Sequence, residues 1–277
     1  MQTLTLPNGS RVPKLGLGTW GMGEQRGEVA AEIRAISHAL NNGITLLDTA
    51  EMYGEGGAEE VIGIALKGLG QRPYLVSKVY PHNASRSGLA AACERSLKRL
   101  QVDHIDLYLL HWRGNIAFEE TIEGFERLVG TGKIGAWGVS NMDAGDLTEI
   151  WSTPGGDGCQ TNQVLYNLSR RWPEDTLMPV MKGKKMPVMA YSPLEQGLLA
   201  EDKRLKFIAK EAGMAPLDLA LAWVVSQENV FGIPKSVFPE RIDGFLRAVE
   251  RPLSHDLLEA LNLAFPPPIP GSPIEML

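Results

Sequence analysis

Ile105-Asp-Leu-Tyr-Leu-Leu-His111, Phe118-Glu-Glu-Thr-Ile-Glu-Gly-Phe-Glu-Arg-Leu-Val-Gly130 and Ala136-Trp-Gly-Val-Ser140 follow one another as a short apolar run, an amphipathic stretch and a second short apolar run. Apolar runs of this length read as buried strands, and the helical pattern between them reads as a crossover helix. The same unit repeats in both directions. Strands are also expected at Leu15–Gly18, Thr45–Asp48, Tyr74–Lys78, Gln160–Gln163, Val188–Tyr191 and Phe231–Pro234, with helical patterns over Glu28–Asn41, Ala58–Leu69, Arg86–Leu100 and Pro216–Ser226. Strands alternating with helices imply right-handed crossovers and a parallel sheet. Eight units without a Pro- or Gly-rich linker imply closure into one (β/α)8 TIM barrel, an α/β fold with residues 1–277 as a single domain. An open, doubly wound sheet gives the same alternation and stands as the alternative.

Ahead of the first unit, Leu4, Leu6 and Val12 flank Asn8-Gly9. Asn-Gly between alternating runs signals a β-hairpin, expected here to close the barrel floor. Behind the last unit, Phe265-Pro-Pro-Pro-Ile-Pro-Gly-Ser-Pro273 cannot be helical. It reads as an extended strap across the barrel, or as a proline-rich ligand for a partner domain.

The net charge is −6, from 27 basic and 33 acidic residues. Phosphate-backbone binding needs a basic surface, so no nucleic-acid partner is expected, although a local basic pocket is compatible with this balance. No segment approaches the roughly 20 apolar residues that cross a bilayer, and the N-terminus lacks a basic region followed by an apolar stretch. Cys93 and Cys159 lie on separate elements and form neither a disulfide framework nor a metal pair. The histidines (His38, His82, His104, His111 and His255) are scattered without ligand spacing, so no metal is expected. Two reduced thiols suit a cytoplasmic protein.

Gly16-Leu-Gly18-Thr-Trp-Gly21 matches the G-x-G-x-x-G of dinucleotide-binding turns. Trp20 is bulky where backbone must approach a pyrophosphate, and Gly21–Gly27 delays the helix. Asp48 also lies beyond the acidic position expected about 20 residues on.

Barrels of this type carry their functional groups at the C-terminal ends of the strands. Read in order, those ends are Asp48, Lys78, His111, Ser140-Asn141, Gln163, Tyr191 and Lys235. Singly, each has an ordinary explanation. Asp48 can start a turn, Lys78 can snorkel, His111 can be a satisfied core histidine, and Tyr53 can be a packing aromatic. Together they form a constellation. Asp48 and Lys78 on neighbouring strands can pair in a sheltered cleft. The lysine charge then favours a nearby phenolate, so Tyr53 is expected below the usual tyrosine value near 10. That would make it a proton donor tuned toward working pH. His111 could donate a hydrogen bond to a carbonyl oxygen as negative charge develops there.

The successive segments Asp48-Thr-Ala-Glu-Met-Tyr53-Gly-Glu55, Ser77-Lys78, Leu109-Leu110-His111-Trp112, Gly132-Lys133-Ile134 with Gly138-Val139-Ser140-Asn141, Asn162-Gln163 with Tyr166-Asn167, Tyr191-Ser192-Pro193-Leu194 and Ile233-Pro234-Lys235-Ser236 resemble the signatures of the aldo-keto reductase superfamily, in order and over nearly the whole chain. The opening Gly18-Thr-Trp-Gly-Met-Gly23 and the run Lys78-Val-Tyr-Pro81 are most similar to bacterial members that reduce methylglyoxal and other small aldehydes. The resemblance implies NADPH-dependent reduction of aldehydes and ketones to alcohols by hydride transfer. Tyr53 would be the general acid, Lys78 would tune it, Asp48 would hold Lys78, and His111 would orient the carbonyl. Cofactor contacts would come from Gly18, Thr19, Trp20 and Asp48. Ser140, Asn141 and Gln163 would hold the nicotinamide carboxamide, and Tyr191 would stack beneath the ring, followed by Ser192 and Leu194. Lys235, Ser236 and Arg241 would grip the adenosine 2′-phosphate; a solvated helix start at Pro239 is the plainer reading of those residues. Trp20, Tyr80 and Trp112 would line a substrate pocket, or simply pack. A small carbonyl substrate and a monomeric state are the corresponding expectations.

Two features depart from the pattern. Where many members carry a Glu-Asn pair that contacts adenine, this chain has Gly244-Phe245. Glu195 adds negative charge near the expected pyrophosphate path, which an outward rotamer or a cation partner would accommodate. Two other functions compete. A non-catalytic, cofactor-binding subunit is disfavoured by the complete Asp48, Tyr53, Lys78 and His111 set. A Rossmann-type dehydrogenase would place Gly16–Gly21, rather than Lys235–Arg241, at the cofactor phosphates.

Overall fold

The structure is a computed structural model that describes residues 2–70 and 72–277; Met1 and Gln71 lie outside the described residues. A hairpin of β1 (Thr3–Thr5) and β2 (Arg11–Pro13) precedes eight strands: β3 (Leu17–Gly18), β4 (Leu46–Asp48), β5 (Tyr74–Val79), β6 (Ile105–Leu110), β7 (Ile134–Ser140), β8 (Cys159–Leu165), β9 (Val188–Tyr191) and β10 (Val230–Gly232). The helices are α1 (Val29–Asn41), α2 (Gly57–Ala65), α3 (Arg86–Leu100), α4 (Phe118–Gly130), α5 (Ala144–Ser152), α6 (Leu177–Gly183), α7 (Lys203–Glu211), α8 (Pro216–Ser226), α9 (Pro239–Glu250) and α10 (His255–Ala264).

β3 to β10 pair in chain order and in parallel. The first strand then meets the last. Leu15 bridges Gly232, and the amides of Gly16 and Gly18 donate to the carbonyls of Gly232 and Pro234, each at 2.9 Å. The sheet therefore closes, as the (β/α)8 reading requires, and the open doubly wound alternative is excluded. Regular pairing of the first strand covers only Leu17–Gly18, shorter than the expected Leu15–Gly18. α2 ends at Ala65, short of the expected Leu69, because the chain turns at Gly68 with φ +79°.

Strand residues alternate between faces. The barrel interior holds Leu46, Val76, Leu107, Leu109, Ala136, Met189, Phe231 and Ile233, sealed from below by Leu6 and Val12 of the hairpin. The Asn8-Gly9 turn is tied to the start of β8 by the Asn8 amide, which donates to Gln160 Oε1 at 2.8 Å. A second, larger cluster fills the space between strands and helices. The interior phase positions the site. One pleat beyond Leu46 is Asp48, beyond Val76 is Lys78, beyond Leu109 is His111, beyond Met189 is Tyr191, and beyond Ile233 is Lys235.

The glycines of the Gly16–Gly21 motif serve the barrel wall. A Cβ on Gly16 would lie 2.2 Å from Leu46 Cδ2, and one on Gly18 would lie 3.0 Å from the Ile233 carbonyl. No helix opens at Gly21, since α1 begins at Val29. The tail after α10 has no regular secondary structure. It runs across to β8 and β9: the Gly271 amide donates to Asp175, Arg170 pairs with Glu275, and the Leu277 amide reaches the Tyr191 hydroxyl at 3.4 Å. Among the described residues, no helix is long and apolar enough to cross a membrane.

Candidate active site

Lys78 sits at the centre, fully buried at the end of β5. Its ammonium has three protons and three acceptors: Asp48 Oδ2 at 2.8 Å, the Thr49 carbonyl at 2.8 Å and the Tyr53 hydroxyl oxygen at 3.0 Å. Tyr53 therefore accepts from Lys78, and its own O–H is left to donate elsewhere. Tyr53 reaches this position from a tight 3-10 turn, Tyr53–Gly56, in which Gly54 and Glu55 have φ of 58° and 52°. The preceding loop packs beneath that turn at Gly23, where a Cβ would lie only 2.2 Å from the Gly57 carbonyl carbon. Gly23, at φ +76°, is thus required by contact as well as by backbone.

His111 lies edge-on to Tyr53, with ring centroids 5.8 Å apart. Its Nδ1 is buried without a partner. Burial, and then the Lys78 charge, push its pKa down to about 2, which favours the neutral imidazole. Burial opposes the charge on Lys78, but Asp48 and Tyr53 outweigh it and the ammonium is held charged. Tyr53 departs from the sequence expectation. Burial raises the phenol above its usual value, and Lys78 only partly opposes this. The lysine does not bring the resting phenol below 10; it limits how far burial drives it up.

The groups expected to hold a carboxamide converge beside this centre. Ser140 Oγ donates to the Gln163 carbonyl at 2.8 Å. Asn141, at φ +56°, donates from Nδ2 to the His111 carbonyl and to Ser140 Oγ, and its Oδ1 accepts from the Tyr191 hydroxyl at 3.1 Å. Gln163 Nε2 donates to Asp48 Oδ1 at 2.8 Å and to Met189 Sδ. The Asp48 bond fixes the orientation of that amide, its nitrogen toward the carboxylate. Thr19 Oγ1 donates to the Asp48 carbonyl at 2.9 Å, beside Gly18. Tyr80 and Trp112 meet edge-on at 5.9 Å, and Trp112 leans against His111 at 4.8 Å. Trp20 is 55% exposed.

Ser192 and Leu194 lie on the loop after β9, where Ser192, Glu195 and Gln196 all have positive φ. The charge of Glu195 has a partner that sequence reasoning could not name. Glu195 accepts from Asn167 Nδ2 at 2.7 Å and from Arg170 Nε at 3.0 Å. Lys235, four residues ahead of α9, and Arg241, in its first turn, are both exposed. Neither forms an ion pair among the described residues. Ser236 Oγ accepts from the Phe238 amide at 3.0 Å, and Arg241 lies over the Phe238 ring at 5.0 Å. Exposed cations beside a helix N-terminus make this end of the chain locally favourable to an anion.

Sequence reasoning also missed Glu51. This buried carboxylate accepts from the Tyr80 amide at 2.8 Å and from Asn83 at 3.0 Å, and pairs with Arg95. It holds the loop that carries Tyr80. The available signal was a charged residue placed between the strand end at Asp48 and Tyr53. Among the described residues, no cluster of His, Cys, Asp and Glu is arranged to hold a metal ion.

The sequence profile of the Aldo/keto reductase family matches residues 14–263. The chain is 44% identical over 272 residues to methylglyoxal reductase YeaE of Escherichia coli, covering 96% of this chain and 95% of that protein. It is 34% identical to glyoxal reductase of Bacillus subtilis, covering 94% and 92% of the two chains. An aldo/keto reductase from Klebsiella pneumoniae, crystallised with NADP and acetate, superposes with a TM-score of 0.96 at 42% identity over 99% of each chain. A second Klebsiella pneumoniae aldo-keto reductase structure, in complex with NADPH, gives 0.95 at 42% identity over 100% of each chain.

Proposed function

The chain belongs to the aldo/keto reductase family, and from that premise we propose that Tyr53 is the general acid of an NADPH-dependent reduction of aldehydes and ketones to alcohols. The observation that carries the proposal is the donor count at Lys78. With all three ammonium protons committed, the Tyr53 oxygen is an acceptor toward Lys78, and its one proton is left for another acceptor.

The cofactor, when bound, supplies the hydride that attacks the carbonyl carbon; the protein supplies position and field. Tyr53 donates its proton to the carbonyl oxygen as negative charge develops there. The phenolate left behind faces Lys78, and the Lys78 charge is in turn balanced by Asp48. Neutral His111 offers its Nε2 side to the same oxygen as a hydrogen-bond donor. It orients the carbonyl and cannot compete as an acid, because its pKa is depressed to about 2. Ser140, Asn141 and Gln163 hold the carboxamide, and Tyr191 forms the shelf for the ring. Lys235, Ser236 and Arg241 take the 2′-phosphate that distinguishes NADPH from NADH, and Thr19 and Gly18 bring the first strand against the cofactor.

Aromatic walls at Tyr80 and Trp112 suit a small, weakly polar carbonyl compound. Similarity to the methylglyoxal and glyoxal reductases supports a short 2-oxoaldehyde such as methylglyoxal as a substrate. Buried, unpaired thiols at Cys93 and Cys159 support a reducing, cytoplasmic setting. The test is loss of reduced-nicotinamide absorbance with methylglyoxal and a panel of aldehydes and ketones, with NADPH and NADH in parallel. Turnover of small aldehydes with a strong preference for NADPH is expected. Cofactor binding without turnover of any carbonyl would reject the enzymatic reading.

A further inference from the structure

Gly244 and Phe245 offer no hydrogen-bonding side chains on α9, and the packing of α8 against α9 puts another group beside them. A Cβ on Gly244 would lie 2.8 Å from Asp218 Oδ1 and 3.5 Å from Arg247 Nη2. The Asp218 carboxylate, from the first turn of α8, already fills the space that a side chain at 244 would occupy. Phe245 is turned into the core at 3% exposure. Arg241 and Gly244 are three residues apart on α9, so they share a face, with side-chain positions roughly 5–6 Å apart. The Asp218 carboxylate therefore stands about one helical turn along from the proposed phosphate cation, on the same face.

That carboxylate is available. Its side chain is 22% exposed, and its one ion pair, with Arg247, is long at 3.9 Å. It accepts no hydrogen bond of its own among the described residues. Its carboxyl is held above the ordinary range by partial burial, with Arg247 opposing. An acid in a first helical turn also favours the helix dipole, but that role does not require it to reach across to α9.

We propose that Asp218 recognises the cofactor base, its carboxylate accepting a hydrogen bond from the adenine 6-amino group while Arg241 holds the neighbouring 2′-phosphate. This rests on the reading that NADPH places its phosphate at Lys235, Ser236 and Arg241. Asp218 and Gly244 form one device: the acid replaces an acceptor on α9, and the glycine makes room for it.

The test is fluorescence titration of NADPH and of deamino-NADPH, in which an oxygen replaces the 6-amino group, against wild type, Asp218→Ala, Asp218→Asn and Arg241→Ala. Wild type should bind deamino-NADPH about tenfold more weakly than NADPH, the usual effect of losing one charge-assisted hydrogen bond at a partly exposed site. Asp218→Ala should weaken NADPH binding by about the same factor and bring the ratio of the two cofactors near one. Asp218→Asn, which keeps an acceptor oxygen, should fall between. A purely structural role for Asp218 would weaken both cofactors equally and leave the ratio unchanged, and that result would overturn the proposal. Unchanged NADPH affinity in Arg241→Ala would instead overturn the phosphate assignment beneath it.

Discussion

Replacing Lys78 by Met removes a buried charge and three hydrogen bonds while keeping much of the side-chain volume. What it leaves behind sets the magnitude. Asp48 is 2% exposed in its side chain and loses its one ion-pair partner among the described residues. Stranding one member of a buried pair costs about 3–5 kcal/mol. A second limit comes from protonation. Asp48 can neutralise itself instead, and protonating a carboxyl of ordinary pKa 3.9 at pH 7 costs about 4 kcal/mol, at 1.36 kcal/mol per unit. The smaller cost prevails, so the loss at pH 7 should be about 4 kcal/mol or less. For a chain of this size that corresponds to a drop in Tm of roughly 8–16 °C. The sign of the pH dependence follows from the same argument. Burial already raises the Asp48 carboxyl against the opposing Lys78 charge; in the variant that opposition is gone and the folded-state value rises further, so the penalty grows as pH rises above about 4 and shrinks as pH falls. Thermal unfolding followed by circular dichroism at pH 7 and pH 5 should show the deficit of Lys78→Met narrowing by roughly 2–3 kcal/mol. The double variant Asp48→Asn, Lys78→Met should recover most of the stability and none of the activity. A Tm for Lys78→Met within about 2 °C of wild type, or a deficit independent of pH, would refute the buried-pair argument.

Two further predictions test other parts of the site. Arg241→Ala should weaken NADPH binding roughly 10- to 100-fold, the worth of a charged hydrogen bond, while leaving NADH nearly unaffected. Equal losses for the two cofactors in fluorescence titrations would show that Arg241 supports the helix rather than the phosphate. His111, with its pKa depressed from 6.5 to about 2 by burial, should make the fold lose up to about 1.4 kcal/mol for each pH unit below 6.5, because the unfolded chain binds the proton that the folded one refuses. Urea midpoints for His111→Gln should show that part of the slope removed, and an unchanged slope would mean that His111 is protonated in the fold.

Much of the site was legible because strand alternation and function share a phase. Leu46 and Asp48, Val76 and Lys78, Leu109 and His111, and Met189 and Tyr191 are pairs two residues apart. Once the apolar member is assigned to the barrel interior, the polar member must face the same cavity at its mouth. What stayed hidden depends on contacts between distant elements. Gln163 meets Asp48 across 115 residues, and Arg170 meets Glu195 across an intervening helix and strand, α6 and β9. That the Asp218 carboxylate fills the space beside Gly244 depends on the packing of α8 against α9, which no local pattern shows. The upward direction of the Tyr53 phenol was hidden for a related reason. The Lys78 charge could be read from strand ends, but the burial that outweighs it is a property of the whole closed barrel.

The most direct test of the account is the rate of aldehyde reduction by Tyr53→Phe, with NADPH affinity measured on the same preparation. The substitution removes one hydroxyl and keeps the ring, so fold and cofactor binding should be retained. Lys78 loses one of three acceptors but keeps Asp48 and Thr49. A positioned general acid contributes roughly 100- to 10,000-fold, and kcat should fall within that range while the NADPH dissociation constant changes by less than about twofold. A variant that binds NADPH normally and keeps more than about a third of the wild-type kcat would contradict the assignment of Tyr53 as the proton donor.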